Sequence, residues 1–240
     1  MNVAFAVLSK GRPGNVEKMA PHLEGIPATW YVNVDEETLY QEAGARTRTC
    51  DPGVVNAANA ALADGFARGS AVCIMSDDLK RIKRLRPGTE GMGRDGGKAD
   101  VISLREAVKE MVDVLDEYDL KLAGTQPTGN VGWMKHRVNT RAFIVFDLIL
   151  VYPSHLRFDP MLRTKVDYDF TLQNWEAFGG AARLEYLAAE VEHYSNDGGI
   201  ASIRTDEMEQ ETIAYLQEKW PGMLRLNPKR KNEVLLVKSR

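Results

Sequence analysis

The run Ala71-Val72-Cys73-Ile74-Met75 is apolar without a break and stops abruptly at Ser76-Asp77-Asp78. A strand with no polar alternation is buried on both faces, which calls for a sheet covered by helices on either side. The preceding segments agree. Val3 to Leu8 is a second apolar run, followed by the turn-rich Ser9-Lys10-Gly11-Arg12-Pro13-Gly14-Asn15. Asn15 can cap a short helix through Leu23. Thr29 to Val34 reads as a strand ending at Asp35, with a helix carrying Leu39 and Ala43 behind it. Asp51-Pro52 opens a helix whose Val54, Ala58, Ala61, Leu62 and Phe66 share one face, and Gly69 stops it. Such alternation of strands and helices predicts an α/β fold.

Beyond Met75 the pattern thins. Lys80, Arg81, Lys83, Arg84 and Arg86 form a basic cluster, and Gly88, Gly91 to Gly93 and Gly96-Gly97 predict a mobile loop between Arg86 and Asp100. Ser103 and Glu106 have the spacing of a capping box, ahead of a helix with Leu104, Ala107, Val108, Met111, Leu115 and Tyr118 on its apolar face. Short strands are predicted at 121–124, 141–146, 184–188 and 191–194, and a last helix from Thr205 to Pro221-Gly222. There is no internal repeat and no linker, so one domain is expected over 1–240. Its parts are residues 1–80, which end in the acidic pair, the glycine-rich basic loop (81–100) and residues 101–240.

Composition excludes several classes. Of the 240 residues, 44% are apolar and 27% charged, ordinary for a globular protein, and no run reaches the roughly 18 to 20 apolar residues of a membrane span. Met1 to Leu8 lacks the features of a secretion signal, and two cysteines make neither a disulfide framework nor a zinc site. A cytoplasmic setting, without membrane contact, is expected. The net charge of −3 does not mark a nucleic-acid binder, although the basic clusters at 80–86 and in the tail can neutralise phosphates if they border a site.

Three constellations can carry chemistry. Asp77 and Asp78 follow a buried strand, at the end where open α/β sheets bind ligands. They can hold Mg²⁺ or Mn²⁺ against substrate phosphates, or simply begin a turn. In Val166-Asp167-Tyr168-Asp169-Phe170 an extended chain would put both aspartates on one face, where a carboxylate can take a proton from an attacking hydroxyl. The same pattern also suits a surface strand or a helix start. His193, in Glu192-His193-Tyr194-Ser195-Asn196-Asp197-Gly198-Gly199, can ligate a metal, or be structural.

Taken in order, these pieces resemble the GT-A glycosyltransferases. The relevant segments are the loop at Gly11-Arg12-Pro13, the helix "GVVNAANAALADGFARG" from Gly53, the strand "VCIMSDDL", the segment "RFD" at Arg157 to Asp159 followed by "VDYDF", and "EHYSNDGG". Ala58 stands where the family has arginine, Ser76 in the first position of its Asp-x-Asp motif, and Val166 where it has glutamate; Asn59 and Asp167 match. The combination "MSDDL", "VDYDFTLQ" and "HYSNDGG" is most similar to the TET-associated glycosyltransferases of phages and bacteria.

The resemblance implies a Rossmann-like mixed central sheet flanked by helices, and a UDP-sugar donor held by Ser9, Lys10, Gly11, Arg12, Asp35, Asn59 and Asp77. It also implies Mn²⁺ or Mg²⁺ on Asp78 and His193, and Asp167 as general base in an inverting displacement. The implied acceptor is double-stranded DNA carrying hydroxymethylpyrimidines, in the host cytoplasm if the chain is phage-encoded. Lys80, Arg81, Lys83, Arg84, Trp133 and Asp169 would contact this acceptor. Three other readings stand beside it. One is transfer to a glycan or small molecule, a second an inactive nucleic-acid-binding module on the same scaffold. The third, a nucleotidyltransferase, lacks a glycine-rich phosphate loop with a following Thr-Arg pair.

Overall fold

A computed structural model describes residues 1–89, 98–192 and 205–237. Its strands are β1 (Val3–Leu8), β2 (Ala28–Asn33), β3 (Thr47–Cys50), β4 (Ala71–Ser76), β5 (Leu79–Leu85), β6 (Ala99–Ile102), β7 (Leu122–Gln126), β8 (Val138–Asn139), β9 (Leu148–Val151), β10 (Ala182–Val191), β11 (Leu224–Leu226) and β12 (Val234–Leu236). The helices are α1 (Asn15–Met19), α2 (Glu37–Glu42), α3 (Val54–Phe66), α4 (Leu104–Tyr118), α5 (Val166–Phe178) and α6 (Asp206–Lys219). The main sheet has the order β3-β2-β1-β4-β9-β7-β10-β5-β6, with β8 against β10, while β11 and β12 pair separately.

β1, β2, β3 and β4 are mutually parallel, β7 and β10 share their direction, and β9 and β5 run the other way. This is a mixed, Rossmann-like sheet flanked by helices. One apolar face of the sheet packs on α1, α2 and α4, the other on α3, α5 and α6. β4 lies in the middle, with Ala71 to Met75 at most 1% exposed. The unbroken apolar run therefore predicts its place correctly.

Local rules explain most elements. Ser103 Oγ accepts from the Glu106 amide, and the Glu106 carboxylate accepts from the Ser103 amide, closing the capping box of α4. Thr205 Oγ1 accepts from the Met208 amide and starts α6. In α2 the buried anchor is Tyr40, 0% exposed, and not Leu39, 53% exposed.

Three expectations are corrected. Asn15 is the first residue of α1, after Gly14, rather than its cap, and the helix ends at Met19 instead of Leu23. The apolar segment 141–146 is not a strand beyond one bridge from Arg141 to Ala181; the strand is Leu148–Val151, beyond Asp147. Val166 to Phe170 is the first turn of α5, so Asp167 and Asp169 do not share a face. Of the predicted strand 191–194, Val191 is the last residue of β10 and 193–194 lie outside the described residues, as does most of the glycine-rich loop (90–97).

Candidate active site

The parallel strands set the site. β1, β2 and β4 release the chain at one edge, at Ser9, Val34 and Asp77. The reversed strand β9 enters at that same edge, so Asp147 lies beside the end of β4, and its carbonyl accepts from the Ser76 amide at 3.0 Å. No sequence motif marks Asp147. Only the strand order places it here.

Asp77 is 3% exposed. Ser9 Oγ donates to its Oδ2, and Arg12 Nη1 lies 3.1 Å from its Oδ1. The same guanidinium nitrogen reaches Asp78 Oδ2 at 3.4 Å, and Ser76 Oγ donates to Asp78 Oδ1 at 2.6 Å. Tyr40 supports the loop from below: its hydroxyl accepts from the Arg12 amide at 2.9 Å and lies 2.6 Å from Ser9 Oγ. With Ser9 donating to Asp77, the Tyr40 hydroxyl is left to donate to Ser9. Burial pushes the Asp77 carboxyl up, and the Ser9 hydrogen bond and the Arg12 charge oppose that shift. Gly11, in the left-handed region at φ 70°, turns the loop so that its amide donates to Glu36 Oε2 at 3.0 Å. Asp35, exposed, sits one residue before that carboxylate.

Asp167 sits in the first turn of α5, half-buried, where its Oδ1 accepts from the Tyr168 amide at 3.0 Å. Its carboxyl is pushed up to about 7, first by burial and then by the charge of Asp147, against the Tyr168 amide and Lys165. Beside it is an apolar cavity of about 10 Å³ lined by Phe146, Phe158 and Phe170 among others, with room for about one water. A carboxyl raised by burial toward neutrality, at the edge of the sheet where β1 and β4 end, is a candidate general base.

Other expected site residues have different partners. The Asn59 amide is spent on the Phe158 backbone, donating to its carbonyl and accepting from its N–H, both at 2.8 Å. Asn59 thus pins the 157–159 segment to α3. Asp169 is 1% exposed, and its oxygens accept from Trp220 Nε1 (2.7 Å), Lys219 Nζ (2.8 Å) and Gln173 Nε2 (2.6 Å). It ties α5 to α6 and is closed to an acceptor.

The basic cluster lies on β5 and is matched by acids: Lys80 to Glu192, Arg81 and Lys83 to Glu190, Arg84 to Glu110. Trp133, weighed above as an acceptor contact, is 66% exposed, and its carbonyl accepts from Gln126 Nε2 at the end of β7. Lys10 is partly exposed beside Gly11. His193 lies outside the described residues, as does Gly198-Gly199.

Among the described residues no three or more His, Cys, Asp or Glu side chains form a metal-holding group, and no helix is long and apolar enough to cross a membrane. A fully caged ion does not fit this donor set. All four carboxylate oxygens of Asp77 and Asp78 face Ser9, Ser76 or the Arg12 guanidinium, so an ion that arrives with a diphosphate and needs one or two carboxylates from the protein would have to displace Arg12 to reach them.

No protein-family model matches the chain, and no curated protein matches it. Among solved structures it is similar to a 4-diphosphocytidyl-2C-methyl-D-erythritol synthase from Anaerococcus prevotii, with 11% identity over 90% of this chain and 98% of that one, at a TM-score of 0.40. Likeness at that level carries no activity from one protein to the other.

Proposed function

We propose that the chain is a glycosyltransferase that takes a sugar from a nucleoside-diphosphate donor, UDP-linked in the simplest case, with Mn²⁺ or Mg²⁺, and passes it to a hydroxyl. One observation carries this reading. Ser9, Arg12, Asp77 and Asp78 converge where β1 and β4 end, and Asp167, with a carboxyl near neutral pKa, borders the same edge through Asp147.

In this proposal Asp78, with Asp77 behind it, faces the cation that accompanies the donor and supplies charge neutralisation for the departing diphosphate. Arg12 and Lys10 neutralise the phosphates directly, and Asp35 with the Ser9 loop borders the nucleoside. Asp167 takes the proton of the acceptor hydroxyl as the new carbon–oxygen bond forms. The bond from the anomeric carbon to the diphosphate breaks on the opposite side, and the configuration inverts. His193 is proposed as a further ligand on the strength of the resemblance alone.

The acceptor implied by the resemblance is a hydroxymethylpyrimidine in double-stranded DNA, with Trp133 beside it. Pairing of Lys80, Arg81, Lys83 and Arg84 with Glu192, Glu190 and Glu110 supports a second reading, a glycan or small-molecule acceptor, because a β5 already neutralised offers little to a polyanion. The test incubates the chain and Mn²⁺ with a panel of nucleotide sugars and either hydroxymethylated DNA or small hydroxylic acceptors. Mass spectrometry of the products reads the added sugar. Transfer to DNA that is abolished in Asp167→Asn supports the first reading, transfer only to small acceptors the second. Absence of transfer from every donor refutes both.

A further inference from the structure

One buried ion pair takes no part in the proposed reaction. Lys165 and Glu209 form it, with side chains 9% and 7% exposed, the lysine ammonium donating to Glu209 Oε2. Beside it the hydroxyl of Thr164, a buried residue, donates to Thr212 Oγ1 at 3.2 Å. Glu209 and Thr212 are three residues apart on α6 and so lie on one face of it. α6 thus grips two consecutive residues, and α5 begins at the next one, Val166. Asp167 follows in the first turn, where the Tyr168 amide donates to the Lys165 carbonyl at 3.1 Å and to Asp167 Oδ1 at 3.0 Å.

Stability is a poor account of this pair. Two charges taken out of water return little net stability, and apolar side chains of similar volume often do as well. Lys165 also sits at φ 53°, a left-handed conformation that costs a residue with a side chain about 1–2 kcal/mol and that glycine would adopt freely. What a lysine brings to that position is a tether and a charge. The tether holds the turn that aims α5. The charge lies two residues from Asp167, where burial and Asp147, at the entry to β9, both favour the protonated carboxyl and Lys165 opposes them. Tyr168, the titratable neighbour on α5 itself, directs its hydroxyl away, to the Val234 carbonyl at 2.9 Å.

We propose that Lys165 is a positioning residue for Asp167: held by Glu209 of α6, it fixes the left-handed turn from which α5 starts and keeps a positive charge beside the proposed base. This deepens the transferase reading and rests on it for the reaction. The effect of Lys165 on the Asp167 carboxyl is measurable without any transfer.

The test replaces the pair with apolar side chains, Lys165→Met together with Glu209→Met, and follows the Asp167 carboxyl by carbon-13 NMR, with Asp167→Asn to assign its signal. The double variant is expected to keep a Tm near that of the wild type. Its Asp167 carboxyl is expected to titrate about one unit higher, the lower end of what a nearby opposite charge does to a carboxyl. In transfer assays kcat at pH 7 then falls about fivefold and recovers by about pH 9, with the donor KM unchanged. Lys165→Arg, which keeps the charge, is expected to restore the wild-type titration. Lys109→Ala, on the exposed face of α4 across the sheet, controls for net charge and is expected to leave it unmoved. Should the methionine pair not fold, Lys165→Gln with Glu209→Gln, which can keep a hydrogen bond between the same positions, gives the same reading. An Asp167 titration unmoved in a folded double variant overturns the proposal, as does an equal shift in Lys109→Ala. The expected shift without transfer from any donor sinks the transferase reading alone, whereas Asp167-dependent transfer with a wild-type pH profile in the double variant sinks the role of Lys165 alone.

Discussion

Replacing Lys219 by methionine is expected to destabilise the protein substantially, in a manner set by two aspartates on different segments. The ammonium of Lys219 lies 2.5 Å from Asp159 Oδ2 and 2.8 Å from Asp169 Oδ1. Asp169 is 1% exposed, and the lysine side chain 28%. Removing one partner of a buried ion pair costs about 3–5 kcal/mol when the charge left behind has nothing else. Here Asp169 keeps Trp220 Nε1 and Gln173 Nε2, and Asp159 keeps the Tyr215 hydroxyl. The expected loss is therefore about 2–3 kcal/mol, or about 4–12 °C in Tm for a chain of this size.

The pH dependence has a definite sign. Burial alone would raise the Asp159 carboxyl, but the Lys219 hydrogen bond and its other donors hold it below the ordinary range. A lowered carboxyl contributes stability above its unfolded pKa of about 3.9 and loses it as pH falls through the folded value. Urea unfolding of wild type and Lys219→Met should thus differ most near pH 7 and converge below about pH 4. A difference under about 0.5 kcal/mol at pH 7, the range of an ordinary surface substitution, would refute the reasoning.

Asp167→Asn is expected to remove sugar transfer while leaving nucleotide binding in place, and wild-type transfer should fall as pH drops below about 7, read as a rate profile. Because the Asp167 carboxyl is raised, folding holds its proton longer than the unfolded chain does. The contribution of Asp167 to stability should fall as pH rises from about 4 to 7, so that Asp167→Asn gains thermal stability relative to wild type at pH 8 but not below pH 4. Asn59→Ala strands the amide and carbonyl of Phe158 and should cost about 1–3 kcal/mol in urea unfolding. Gly180→Ala places a Cβ 2.7 Å from the Thr140 carbonyl oxygen, which is held by the Ala181 amide, and should cost about 1–3 kcal/mol in the same assay.

The amino-terminal third is legible in the sequence because each element there has one period and a clear stop. The run ending at Met75 is apolar throughout, and Gly69 closes α3 before it. The rest is ambiguous for physical reasons. "RAFIVFDLILV" is one apolar stretch with Asp147 inside it, and periodicity cannot say on which side the strand lies. "VDYDF" alternates like a strand, but Lys165, in the left-handed region at φ 53°, turns the chain into a helix just before it. On β5, cations mask a strand whose buried positions are Leu79, Ile82 and Leu85. Of the site, Ser9, Arg12, Asp77 and Asp78 could be read from motifs. Tyr40 and Asp147 could not, since strand order and helix rotation bring them there.

The direction of β9 has a consequence for how such a site can change. Its neighbour β4 carries Asp77 and Asp78 as it leaves the sheet, whereas Asp147 is delivered by a chain on its way in. The stretch from Thr128 to Phe146 leads into β9 and is itself held by the pairing of Val138 and Asn139 with β10 and by the buried Met134 and Ile144, so Asp147 depends on this segment while Asp77 and Asp78 depend on β4. In the proposed transferase, an alteration of that segment would displace the charge beside Asp167 and leave the Asp77–Asp78 pair where β4 sets it.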